Sequence, residues 1–121
     1  MWFNRSSVSR EEVQILYATV VHQAWINEME IFLKDGYTAA PVLNPHECRF
    51  GEWLDCENIL KSSDQASFLV LQEIHDNVHA LAEELCDLKK HNHHEEAISR
   101  IGELHLLRDS LHENLMALIR E

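Results

Sequence analysis

Apolar residues recur at spacings of three and four along most of the chain, and this period predicts helices. Val13, Leu16, Val20, Ala24 and Ile31 form one stripe, with Tyr17, Val21, Trp25 and Phe32 beside it. Ser7 or Ser9 is placed to cap this first helix, Glu11 and Glu12 suit its first turn, and Asp35-Gly36 ends it. Both prolines fall between residues 41 and 45, so residues 37–47 read as a loop. A short helical turn from Cys48 to about Cys56 follows, exposing Glu52 and burying Phe50, Trp53 and Leu54. The second long helix starts near Ser62 or Ser63 and carries Phe68, Leu71, His75, Val78, Ala82 and Leu85, with Ile74, Leu81 and Leu88 as a second stripe. Residues 89–96, KKHNHHEE, read as a polar turn. Ala97, Ile101, Leu104, Leu111, Leu115 and Leu118 then define a last helix running to the end. The expected fold is all-α: an antiparallel four-helix-bundle-like domain spanning residues 1–121, with three long helices and one short Cys-bearing helix.

Charge narrows the range of partners. The 121 residues hold 10 Lys and Arg against 21 Asp and Glu, a formal net charge of −11, with no basic patch. Nucleic acid and anionic membrane surfaces are disfavoured, whereas cations are favoured. Three cysteines, Cys48, Cys56 and Cys86, form neither a disulfide framework nor a CxxC pair, which fits a reducing cytoplasm. No signal peptide and no uninterrupted apolar span of membrane length is present.

The candidate chemistry lies in nine histidines. His75 and His79 stand four apart in IHDNVHALAEEL, so on a helix both imidazoles point the same way, one turn apart. This is half of a metal site. His75 also falls within the Phe68 to Leu85 stripe, where an unpaired imidazole is costly. The partner it needs is a metal, a carboxylate or a backbone carbonyl. Upstream stand His22 in VHQAW and Cys48 in ECRFGEW. Three imidazoles and one thiolate would complete a tetrahedral zinc site, with a helix-start position helping to lower the Cys48 pKa.

The order His22-x-x-Trp25, then Cys48-x-Phe50-Gly51-x-Trp53, then His75-x-x-x-His79 resembles the chemoreceptor zinc-binding (CZB) domain family. The resemblance implies that His22, Cys48, His75 and His79 hold Zn²⁺ in a helical unit that often dimerises. It also implies a regulatory role without catalysis, in which zinc occupancy or thiolate oxidation alters the output of a chemoreceptor or diguanylate cyclase, in cis or in trans. No output domain is visible, so the chain is expected to be a standalone regulator or part of a longer protein. Gly51 permits close backbone approach; Trp25 and Trp53 are placed to wall the metal from water, or to serve as core aromatics; Asp76 could offset its charge or orient a ring. A homodimer is expected on a second ground, because three long helices do not easily cover both stripes of residues 63–89.

Two other readings stand beside this one. A hemerythrin-like di-iron bundle also uses helical HxxxH, but needs bridging carboxylates and more histidines than the core stripes supply. A purely structural dimerisation module needs no metal. An enzyme is disfavoured, because four protein ligands saturate zinc and no nucleophile elbow, HExxH or phosphate loop occurs. His46 reads as a loop residue, His91, His93 and His94 as a solvated turn, His105 and His112 as neighbours on one helix face, and Cys56 and Cys86 as packing thiols.

Overall fold

The computed structural model describes residues 10–35, 39–60 and 65–120. Five helices follow one another: α1 (Arg10–Asp35), α2 (Arg49–Leu60), α3 (Gln65–Lys90), α4 (His94–Ser99) and α5 (Ile101–Arg120). The expected caps Ser7, Ser9, Ser62 and Ser63 lie outside the described residues. α3 is central and touches all four other helices. Contacts along the helices set their directions. Lys89 at the end of α3 donates to the carbonyl of Phe32 near the end of α1, so these two run the same way. α2 runs against α3, since Trp53 meets Phe68 while Cys48 meets His75. α5 runs back against both. The result is the expected all-α, up-down arrangement.

The core agrees with the sequence on α3 and disagrees on α1. Phe68, Leu71, His75, Val78, Ala82 and Leu85 are all buried, and Ile74, Leu81 and Leu88 pack half-buried against the core. On α1, however, the buried face is Ile15, Ala18, His22, Trp25, Ile26, Met29 and Leu33. The expected main stripe is the outer one: Val13, Leu16, Val20 and Ile31 are exposed, Val20 at 66%, and of the residues expected beside it Tyr17 is exposed whereas Trp25 is buried and Phe32 packs half-buried. Both faces repeat apolar residues at helical spacing, so α1 is only weakly amphipathic. Period alone has no means of choosing between them. The choice falls to the face that brings His22 and Met29 against α3.

The last helix is broken, which the sequence period did not signal. The turn after α3 is short and α4 already begins at His94, so residues 94–96 are helical rather than part of a polar turn. At Arg100 the backbone tightens, with its N–H bonded to the Ala97 carbonyl at 3.2 Å, before α5 begins. The guanidinium of Arg100 ties the break to Glu84 on α3 and to Glu103. Cys86 is half-buried with its thiol 3.7 Å from the Met29 sulfur, but Cys56 is exposed and is not a packing thiol.

Candidate metal centre

Each helix delivers its part of the site for a local reason. His75 and His79 sit one turn apart on the inner face of α3, with ring centroids 4.6 Å apart. His22 occupies the matching level on α1, fully buried, 5.1 Å from the His75 ring and 6.3 Å from that of His79. One ligand atom from each of His22, His75 and His79 falls within 4.8 Å of the others. Cys48 touches this group at His75, its Sγ lying 3.3 Å from His75 Nε2, but is not among the residues whose ligand atoms all fall within 4.8 Å. Tetrahedral zinc with ordinary bond lengths would hold a sulfur and a nitrogen about 3.6 Å apart.

Cys48 is the residue before α2 rather than a residue within it. Its carbonyl accepts the first bond of that helix from Glu52, and its sulfur accepts the N–H of Gly51 at 3.2 Å, the position of an N-cap. Gly51 is needed here: a Cβ would collide with the Pro45 carbonyl and lie 3.1 Å from Cε1 of His75. The preceding loop is latched twice. Trp25 Nε1–H donates to the Val42 carbonyl at 2.9 Å, and His79 Nδ1–H donates to the Leu43 carbonyl at 2.8 Å. These two carbonyls are the residues that sequence reasoning missed, because a backbone acceptor leaves no mark in side-chain type. The His79 bond also decides that ring's orientation, leaving Nε2 for a metal. Asp76, expected as an orienting group, is exposed and acts on His79 only through its charge.

Burial sets the protonation of the cluster. It pulls His22 down to about 3 and His75 to about 2, with the neighbouring imidazoles adding to the effect. It also lowers His79, against the opposing influence of the Leu43 bond and Asp76. These imidazoles are therefore neutral near pH 7 and present lone pairs. Cys48 departs from expectation: burial pushes the thiol up, and the Gly51 and Phe50 amides only partly offset it. Placement at a helix start does not by itself make this thiol acidic.

The polar atoms left over are informative. Both nitrogens of His22 and Nε2 of His79 are buried without a hydrogen-bond partner. Orphaned buried nitrogens are costly, and a divalent metal satisfies them with no proton to place. Trp25 stacks against His22 and lies 4.3 Å from the His79 ring, while Phe50 lies 5.0 Å from His22 and 4.8 Å from His75. Trp53 does not reach the site; it packs between Phe50 and Phe68. A groove of about 520 Å³, lined in part by His22, Trp25, Glu28, Glu47 and Cys48, leads to the cluster.

The stretch of chain that holds these residues matches a known family. The family model of the chemoreceptor zinc-binding domain matches residues 22–86, starting on His22 and spanning Cys48, His75 and His79. The chain belongs to the CZB domain family. Comparison with curated proteins and with solved structures found no match. As a CZB domain it is a zinc binder, and the donor set, neutral imidazoles beside a thiol, suits zinc. Among the described residues, the metal-sized cluster contains three histidines and no carboxylate, which does not fit a di-iron centre. Other histidines are engaged elsewhere: His46 bonds Asp55 in solvent, His91 the Asp87 carbonyl, and His94 the Leu33 carbonyl at 2.6 Å. No described helix is long and apolar enough to cross a membrane.

Proposed function

We propose that residues 1–121 form one zinc-sensing regulatory domain of the CZB type, cytoplasmic and without catalytic activity, with zinc held by His22, Cys48, His75 and His79. The observation that carries this reading is the meeting of orphaned, neutral imidazole nitrogens with a single thiol at the mouth of α2. The metal would supply a bond network tying α1, α2 and α3 together, at a net charge of +1 once the thiol is ionised. Cys48 is the switch. A two-electron oxidant such as hypochlorous acid converts its thiolate to a sulfenic acid with release of chloride, removing the soft donor. The sulfur that accepts the Gly51 N–H then carries an added oxygen, so the start of α2 and the latched loop bear the change. Movement there is costlier than a free loop would require, because Trp25 and His79 hold the loop by two bonds.

Through this segment the domain would control an output of the chemoreceptor or diguanylate cyclase type, in cis or in trans. A homodimer is the expected working unit. Its face is better sought on α1, where Val13, Tyr17 and Val20 stand exposed, than on α3, whose main stripe the chain itself buries.

Elemental analysis tests the metal site: about one zinc per chain is expected, with loss in His22→Ala, Cys48→Ala and the His75→Ala, His79→Ala double variant. Full occupancy in that double variant would overturn the assignment. Stoichiometric oxidant should then release zinc from the parent protein with helicity retained by circular dichroism. Collapse of helicity on release would instead make zinc structural.

A further inference from the structure

A metal satisfies one nitrogen of an imidazole and leaves the other to find an acceptor, which usually fixes the ring. His79 has the Leu43 carbonyl for this purpose. His22 has nothing: it is fully buried, and both its nitrogens lack a partner.

The register of α5 brings a candidate to this spot. His105 Nε2 bonds Glu30 Oε1 at 2.8 Å, which pins α5 against α1. Since α5 runs antiparallel to α1, seven further residues, about 10 Å of helix, bring His112 level with His22. His112 is indeed near enough to depress the basicity of His22. Its Nε2 is buried with no partner. The residue also lines a shallow surface groove with Asp109 and Glu113. Burial and the nearby Arg108 keep the ring neutral, with Asp109 opposing. Unpartnered nitrogens thus lie at one level of the α1/α5 packing, and no carboxylate or backbone carbonyl is hydrogen-bonded to any of them.

We propose that His112 is the positioning partner of His22: when one His22 nitrogen holds zinc, the N–H on the other is received by Nε2 of His112. The two rings are not hydrogen-bonded as they stand, so the bond forms through one bridging water or a small ring rotation as zinc orients His22. His112 then sets which His22 nitrogen faces the metal, and couples α5 to a centre otherwise built from α1, α2 and α3. The inference rests on the four-ligand reading of the site.

Competition with a chromophoric chelator, alongside urea unfolding of the zinc-free protein, tests it on the parent, His112→Leu and His112→Gln. The Leu variant lacks an acceptor and should bind zinc roughly tenfold more weakly. Its zinc-free form should be at least as stable as the parent, because an orphaned nitrogen has been replaced by an apolar group. The Gln variant, which can still accept a hydrogen bond, should recover most of the affinity. Unchanged affinity in His112→Leu overturns the proposal. So does a parallel fall in affinity and zinc-free stability, or a Gln variant as weak as Leu, either of which marks lost packing instead. A parent protein that takes up no zinc overturns the four-ligand reading as well, which separates the two failures.

Discussion

His22 and His75 ionise at about 3 and about 2 in the folded chain, because burial removes the water that would solvate an imidazolium. In an unfolded chain the same groups titrate near 6.5. Between these values the unfolded state binds more protons, so acid favours unfolding. The contribution of each is fully present above pH 6.5 and is lost as pH falls toward the folded values. At about 1.4 kcal/mol per pH unit, the two together cost about 4 kcal/mol by pH 5, a large part of the stability of a small domain. With chelator present, the urea midpoint should be flat from pH 7 to 8 and fall steeply from 6.5 to 5. His75→Asn should reduce that slope. A flat profile would mean that the imidazoles are not held neutral and buried.

At the scale of elements, the reversal after α3 rests on one residue. Asn92 has φ of 67°, and the bonds Asn92 N–H to Lys89 and His93 N–H to Leu88 close the helix as a Schellman turn. A side chain in this left-handed region is strained, and asparagine tolerates it better than most. Asn92→Gly should therefore leave stability unchanged or slightly raised, and Asn92→Ala should lower it by about 1 kcal/mol. Urea unfolding of the zinc-free protein measures both; equal effects would show that φ is not what holds the turn. The same turn matters to its neighbour. It sends Lys89 and His94 to the Phe32 and Leu33 carbonyls, closing the end of α1 from another part of the chain.

For the whole molecule, exposed apolar residues among those described are most numerous on α1, with Leu69 and Val70 on α3 and Leu106 on α5 as smaller sets. Val13, Tyr17 and Val20 are 53%, 60% and 66% exposed and recur at helical spacing. A second copy covering this face would bury apolar area on both subunits by one symmetric contact. Light scattering at micromolar concentration should give about twice the 14.1 kDa chain mass. Val20→Glu, which touches neither the core nor the metal cluster, should return the monomer mass with zinc content unchanged. A monomer in the parent, or a dimer unaffected by this charge, would point the face elsewhere.

The helical class, the buried face of α3, the His75 and His79 pair and the short segment after the Pro41 to Pro45 loop were legible in the sequence. Each is local: a period, a spacing or a concentration of turn residues specifies it without knowledge of any other helix. The order of His22, Cys48, His75 and His79 likewise sufficed for family membership. What the tertiary structure decided depends on pairs of elements. The inner face of α1 was one such matter, because two apolar stripes compete and only the packing of α2, α3 and α5 selects Ile15, Ala18 and Met29 over Val13, Tyr17 and Val20. The Val42 and Leu43 carbonyls, the remoteness of Trp53 from the rings and the raised Cys48 thiol were others. The level of His112 beside His22 belongs here too, since the register of α5 on α1, set by His105 and Glu30, places residues 90 positions apart at the same height.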